Sequence, residues 1–473
     1  MRFLDVFRPA MRLLPETTTP DRRIPFNERM VWTATCLFMF MVLGEIRLYG
    51  VEKGSTVDPF YWLRTLMGSQ QGTLRELGVA PILTAGMLMQ FLYGSRLISA
   101  DLSRKEDRAL FQGAQKVIVV LVALVQASLL VVAGAFGPTS VIGSLKALFL
   151  VAQMVTSSIA VMTMDELLQK GYGFGATGIN TFIAMSVCEQ ILSSGLSFKT
   201  IDVGRGPEKE GALLALFQLT FRDGVSGLKE AMFRTGAGGN IITLLATVFI
   251  FVLVNYFQVF RVELPVKHVK ARSHAGMYPI KLFYTGGMPI IIYAAFMANA
   301  YLISQVLYSI FPEMKVIGIL GRWEYSEFTG LARPTAGLAY YLSPPQSTVS
   351  IFTDPVNLIV FACSVPIACG IASRMWLNVS GTAARDIARQ LKDQQMTMRG
   401  YRDSTVISVL DKYITPCAVV GGVVVGAIAV TGEILGAVGS GAGIVLAVTT
   451  IYQNFETMYK EGGIPPELAA ALF

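Results

Sequence analysis

Charged residues are scarce. Asp, Glu, Lys and Arg make up 15% of the 473 residues, whereas soluble domains carry about a quarter, so an ordinary water-covered surface is excluded for most of the chain. Histidine is nearly missing: His268 and His274 both fall in one basic loop, which leaves a histidine-based metal or proton-shuttle site without ligands. The five cysteines, Cys36, Cys188, Cys363, Cys369 and Cys417, are scattered and include no C-x-x-C pair, which argues against a zinc site or a disulfide framework. There is no nucleotide-binding Gly-Lys-Thr loop, no paired nucleophile and base and no cofactor motif, so an enzyme is not expected and no cofactor is implied. The beginning of the chain lacks the unbroken apolar stretch and small-residue cleavage site of a signal peptide. Instead Phe3, Leu4, Val6 and Phe7 alternate with Arg2, Arg8 and Arg12, which reads as an interfacial amphipathic helix or a short soluble cap, weakened by Pro9.

What the chain has is apolar residues, 53% of the total, gathered in blocks near the length of about 20 residues needed to span a bilayer. Five blocks occupy residues 31–46, 78–98, 117–136, 147–164 and 173–192. Five more occupy 241–260, 288–310, 356–376, 414–435 and 439–455. The expected fold is therefore an all-α polytopic membrane protein of about ten transmembrane helices. Nearly all of the basic excess behind the net charge of +7 lies on the side that holds both termini, which predicts that both face the cytoplasm. The sequon Asn378-Val379-Ser380 then falls in a cytoplasmic loop and stays unmodified.

The two groups of five resemble each other. Gly78-Val79-Ala80-Pro81-Ile82 opens the second span, and Gly286-Gly287-Met288-Pro289-Ile290 opens the seventh, each with proline placed for a first helical turn. Gly173–Ile179 and Gly439–Ile444 open the fifth and tenth spans in a similar way. Because five is odd, the two halves must be inverted relative to one another, an arrangement common to transport folds.

Ionisable residues are few inside the spans. Glu45, Glu189 and Glu433 sit near span ends, where they are expected to reach water, so proton or sodium coupling is disfavoured. Val79 with Leu83, and Ile179 with Ile183, are i,i+4 pairs on single helix faces; ordinary packing and a dry constriction both suit them. Asp58-Pro59 begins a short helix that continues through Phe60, Tyr61, Trp62 and Leu63, placed either on the surface or as a cover. Thr84, Gln126 and Asn299 are isolated polar residues in apolar helices, suited to hydrogen bonding across helices. Two basic loops, one near 261–285 and one near 377–412, suit anionic lipid head groups or a large RNA-containing partner equally well. A solute transporter and a membrane-embedded enzyme are the rival classes; the first lacks midplane charges and the second lacks paired catalytic residues.

Several stretches together resemble the SecY family, and within it the alpha subunits of eukaryotic endoplasmic reticulum translocons. They are residues 58–62 (DPFYW), 108–116 (RALFQGAQK), 165–173 (DELLQKGYG), 278–285 (YPIKLFYT), 340–345 (YYLSPP) and 394–400 (QQMTMRG). The resemblance covers nearly the whole chain. It implies a clamshell of two inverted five-helix halves around an hourglass pore, through which nascent polypeptides and their signal sequences pass or exit sideways into membrane lipid. It places a pore ring on Val79, Leu83, Ile179, Ile183, Ile291 and Leu446, and a plug on the helix from Asp58 to Leu63. Thr84, Gln126 and Asn299 become a lateral-gate polar cluster, and Arg272, Arg399 and Arg402 become contacts to ribosomal RNA. Partners implied in the same way are the ribosome, small single-span beta and gamma subunits, post-translational translocation subunits and a lumenal chaperone.

The divisions expected on this basis are a cytoplasmic amphipathic N-terminus (1–30), a first half (31–192, plug about 50–72) and a lumenal joining loop (193–240). A second half (241–456) follows, carrying ribosome-binding loops at 261–285 and 377–412, and then a cytoplasmic tail (457–473). Two places depart from the family pattern: Ser273-His274 stands after Arg272 where glycine is common, and Glu45-Ile46-Arg47 stands where relatives are uncharged. Glu45 and Arg47 are expected to pair with each other or with the plug.

Overall fold

The computed structural model describes residues 7–11, 14–22, 24–51, 61–94, 105–136, 143–174, 178–202, 207–234, 239–268, 275–311, 314–325, 332–345, 353–398 and 403–460. Ten long helices run through them. They are α1 (Phe26–Glu45), α2 (Ala80–Gly94), α3 (Lys105–Val132), α4 (Ser144–Leu167), α5 (Gly178–Leu196), α6 (Ile241–Gln258), α7 (Met288–Ile310), α8 (Pro355–Val379), α9 (Asp403–Ile434) and α10 (Gly441–Lys460). Each occupies one of the ten apolar blocks. The helices outrun those blocks: α3 starts at Lys105 and α9 at Asp403, because intrahelical hydrogen bonding continues into charged turns that hydropathy does not register.

Six stretches, carried by α3, α4, α6, α7, α8 and α9, are long and apolar enough to cross a membrane by length and composition. The other four helices are shorter or more polar. In α10 the reason is visible, since residues 441–450 are all buried and so have protein rather than lipid around them.

The internal repeat is present in the backbone. Gly78 (φ +53°) and Gly286 (φ +60°) both adopt the left-handed conformation just ahead of α2 and α7, and Pro81 and Pro289 both sit in the first turn that follows. Glycine is required at Gly78 on a second count: a Cβ there would stand 2.3 Å from the Met67 carbonyl oxygen.

One apolar core joins the halves, with α5 packed on α10 and α7 packed on both α2 and α3. Seven short strands lie outside the bundle: β1 (Thr200–Asp202), β2 (Pro207–Lys209), β3 (Arg261–His268), β4 (Ala275–Lys281), β5 (Arg322–Tyr325), β6 (Ala332–Ala336) and β7 (Met396–Met398). The two basic loops are one unit. β3 pairs antiparallel with β4 of its own loop and with β7 of the other, Val266 opposite Met398. Leu264, Val266 and Ile280 then share a second apolar core with Ile387, Leu391 and Leu410. Within this unit the Tyr284 hydroxyl donates to the Thr382 carbonyl (3.0 Å), and burial pushes the Tyr278 and Tyr284 hydroxyls above the ordinary tyrosine range.

Of the amphipathic segment expected at the N-terminus, one turn is described, Arg8–Met11. Its apolar side is not left for a membrane surface: Phe7 and Met11 pack onto the main core, with Met11 seated on Gly113 of α3.

Gly78→Ala should lower the thermal midpoint of the reconstituted protein well below that of Gly143→Ala. Gly143 also has positive φ (79°, with ψ 149°) but nothing within 4 Å of an added Cβ, so it bears only the backbone strain, about 1–3 kcal/mol. Equal midpoints for the two variants would show that the close approach to Met67 is not a constraint.

Candidate functional site

Six aliphatic side chains from both halves meet at the seam. Val79 and Leu83 come from the start of α2, Ile179 and Ile183 from the first turns of α5, Ile291 from α7 and Leu446 from α10. Five of them are buried, Ile179 is partly buried, and all six belong to the same core. Leu446 presses so closely on the turn before α7 that a Cβ at Gly287 would have no room. Side chains of this kind offer water and ions no polar partner, so crossing such a cluster costs dehydration.

The short helix Tyr61–Leu66 lies against α5, α7 and α10, so it touches both halves at once. Trp62, Leu63, Thr65 and Leu66 are buried. Thr65 Oγ1 donates to Gln190 Oε1 of α5 (2.9 Å), and the Val79 amide donates to the Met67 carbonyl (2.9 Å), which links this segment directly to the start of α2. Asp58, Pro59 and Phe60, expected to begin the same helix, lie outside the described residues.

Ion pairs hold the turn that follows. Arg64 pairs with Glu76, and Glu76 also accepts the Gly72 amide. Arg75 is buried. Its guanidinium donates to Glu189 Oε2 (3.0 Å), Gln70 Oε1 (2.9 Å) and the Phe40 carbonyl (3.4 Å), and its Cζ lies 4.7 Å from the centroid of the Phe40 ring. Glu189, its side chain 17% exposed, is thus the partner of a buried arginine, not the freely solvated span-end carboxylate that its position suggested. Glu433 departs from expectation in the same way: it accepts from the Ser440 hydroxyl and from the Gly441 amide (3.2 Å), the first residue of α10. Asp165, near the end of α4, faces the Ile179 amide in the first turn of α5 and accepts from Gln169 Nε2 (2.8 Å). In each half, then, a carboxylate of the fourth helix lies at the start of the fifth, where the helix dipole favours negative charge, and Glu433 also satisfies an amide that the helix leaves unpaired.

Thr84 of α2, Gln126 of α3 and Asn299 of α7 are brought together. Gln126 Nε2 donates to Asn299 Oδ1 (2.9 Å), and Asn299 Nδ2 donates to Thr84 Oγ1 (3.1 Å). A cavity of about 130 Å³ lies beside them, lined by Leu63, Arg64, Met67, Gln126, Asn299 and Gln305 among others. Arg272, Arg399 and Arg402 lie outside the described residues. Glu45 and Arg47 are both exposed, and neither joins an ion pair among the described residues; residues 52–60 of the expected plug, their other expected partner, lie outside those residues.

Removing Glu189 while leaving Arg75 buried should cost about 3–5 kcal/mol. Glu189→Ala is therefore expected to lower the midpoint of chemical unfolding in detergent more than the double variant Arg75→Met, Glu189→Ala. Additive losses would mean that the two side chains are not coupled.

The comparisons follow this geometry. Residues 73–455 match the SecY family model, and residues 38–72 match the model described as the plug domain of Sec61p. The chain is 47% identical over 462 residues to the protein transport protein Sec61 subunit alpha of Dictyostelium discoideum, covering 97% of each. Its fold superposes on a solved protein-conducting channel with a TM-score of 0.78 at 32% identity, covering 96% of this chain and 97% of the other. It also superposes on Sec61 in the canine ribosome-channel complex from the endoplasmic reticulum, with a TM-score of 0.76 at 32% identity and the same coverage. With a family model spanning most of its length and its helices arranged as in these channels, the chain is a multi-pass membrane protein and belongs to the SecY family.

Proposed function

We propose that the chain is the pore-forming subunit of a protein-conducting channel in the endoplasmic reticulum membrane. It passes nascent secretory polypeptides across the bilayer and releases hydrophobic segments sideways into lipid. One observation carries this reading: aliphatic side chains from both halves close on one another in a single dry core, with a short helix inserted between the halves. Such a seal excludes water and ions but can yield to a polypeptide, because its side chains are held by packing and not by bonds. The near-full-length likeness to a protein transport subunit supports the same reading.

In this account Val79, Leu83, Ile179, Ile183, Ile291 and Leu446 are the pore ring, and the helix around Trp62 and Leu63 is the plug. Thr84, Gln126 and Asn299 bridge α2, α3 and α7, where the lateral exit between α2–α3 and α7–α8 must part. Interhelical hydrogen bonds of this kind contribute roughly 0.6–1.7 kcal/mol each, enough to bias a closed state without locking it. The chain is a passive conduit, and direction comes from elongation on a docked ribosome or from a lumenal chaperone. The joined basic loops, with Arg272, Arg399 and Arg402, form the ribosomal RNA contact, and small single-span beta and gamma subunits complete the complex. Both termini face the cytoplasm. The likeness to a channel solved together with a ribosome supports that side of the proposal.

A photo-crosslinking residue in place of Ile183, in microsomes programmed with stalled ribosomes bearing a signal-containing nascent chain, tests the proposal. The nascent chain is expected to crosslink at Ile183 and not at the exposed Phe249 of α6. A docked ribosome with crosslinks at neither position would contradict it.

A further inference from the structure

The segment joining the halves combines a buried ion pair with an exposed aromatic face. It leaves α5, forms the β1–β2 hairpin, and continues through two helices, Ala212–Asp223 and Val225–Met232, before α6. One charged pair is on its inside: Glu208 and Arg234, 6% and 8% exposed, pair at 2.9 Å, and Arg234 also donates to the Glu210 carbonyl. Gln218 turns inward as well, accepting from the Lys209 amide and donating to the Pro207 carbonyl, which fastens the hairpin to the first helix. Aromatic surface is on its outside. Phe198, Phe217, Phe221 and Phe233 are between 61% and 89% exposed.

The first of these helices, ALLALFQLTFRD, buries Ala212, Ala215 and Leu219 against the protein and still presents Phe217 and Phe221, four residues apart, on its free side. A helix that is apolar on nearly all sides belongs in a core or in lipid. Its 12 residues reach only about 18 Å at 1.5 Å each, short of the 30 Å or so of hydrocarbon. It also packs on the ends of two spanning helices, α5 and α6. Those helices carry exposed apolar side chains of their own, among them Leu192 and Leu196 on α5 and Leu245 and Val248 on α6, as helices that cross a bilayer do. Arg222 is exposed next to Phe221, where an arginine can extend to phosphate while its neighbours stay in the acyl region.

We propose that this joint is a membrane-docked element. Phe217 and Phe221, with Phe198 and Phe233 around them, insert into the head-group and upper acyl layer of one leaflet, and the partner they fit is phospholipid itself. The Glu208–Arg234 pair is buried beneath the element, which keeps those two charges away from hydrocarbon, while Arg222, Lys229 and Glu230 are exposed and belong at the head-group level. Lipid thereby fixes the depth of the segment about which the two halves must move.

The test uses the full chain in phosphatidylcholine vesicles, with p-benzoyl-phenylalanine at Phe221, at Phe217, or at the exposed Lys229 of the neighbouring helix as control. After irradiation, mass spectrometry should find roughly tenfold more phospholipid adduct at the two phenylalanine positions than at Lys229. Phospholipids carrying a nitroxide should compete best when the label sits high on the acyl chain. Adduct yields at both phenylalanines no greater than at Lys229 would overturn the proposal, as would replacement of lipid adducts by protein adducts when the same variants are irradiated in microsomes.

Discussion

Dry packing between two inverted halves is the constraint on which the rest of this structure depends. α5 lies on α10, α7 lies on α2 and α3, and the aliphatic side chains at their meeting place share one core. A covalent or strongly bonded seam could not part, and a polar one would leak. A seam of packed Val, Leu and Ile side chains is both tight and yielding, because each contact is weak and only their sum is large. Starting α2 and α7 from a left-handed glycine followed by a first-turn proline sets both helices at the seam in the same way, and it explains why the repeat is clearest there.

Around that seam the polar groups are arranged by how firmly they must hold. Arg75 and Glu189 tie the segment after the plug helix to α5, and Glu76 gathers Arg64 and the Gly72 amide. These anchor the C-terminal side of the inserted segment, while its helix, Tyr61–Leu66, meets the halves through buried Trp62, Leu63 and Leu66 and the Thr65–Gln190 hydrogen bond. The bridge formed by Thr84, Gln126 and Asn299 is weaker, neutral, and set beside a cavity. Asp165 and Glu433 stand apart from these, each lying at the start of a fifth helix, α5 or α10.

Much of this could be read in the sequence, for physical reasons that also explain the failures. Ten helices were legible because lipid-facing length shows as apolar blocks, and the inverted repeat was legible because glycine and proline mark backbone turns. Glu189 and Glu433 were misread as solvated, since position near a span end says nothing about a partner: Arg75 is 114 residues from Glu189. The fourth-helix carboxylates at the starts of the fifth helices carry no local signal at all. Nor does β7, three residues long, whose pairing with β3 joins the two basic loops. Thr84, Gln126 and Asn299 looked like unrelated helix glue, and only family resemblance brought them together ahead of the structure.

The central claim is that the plug helix must leave a closed seam before a polypeptide can cross. The Thr65 methyl lies 3.3 Å from where a Cβ on Gly443 of α10 would stand, so Thr65→Cys with Gly443→Cys can be joined by oxidation. The measurement is translocation of a signal-bearing polypeptide into vesicles holding this double variant, oxidised and then reduced, with each single variant as control. The account predicts that oxidation stops translocation only in the double variant and that reduction restores it. Translocation that proceeds at the unmodified rate with the crosslink fully formed would contradict it.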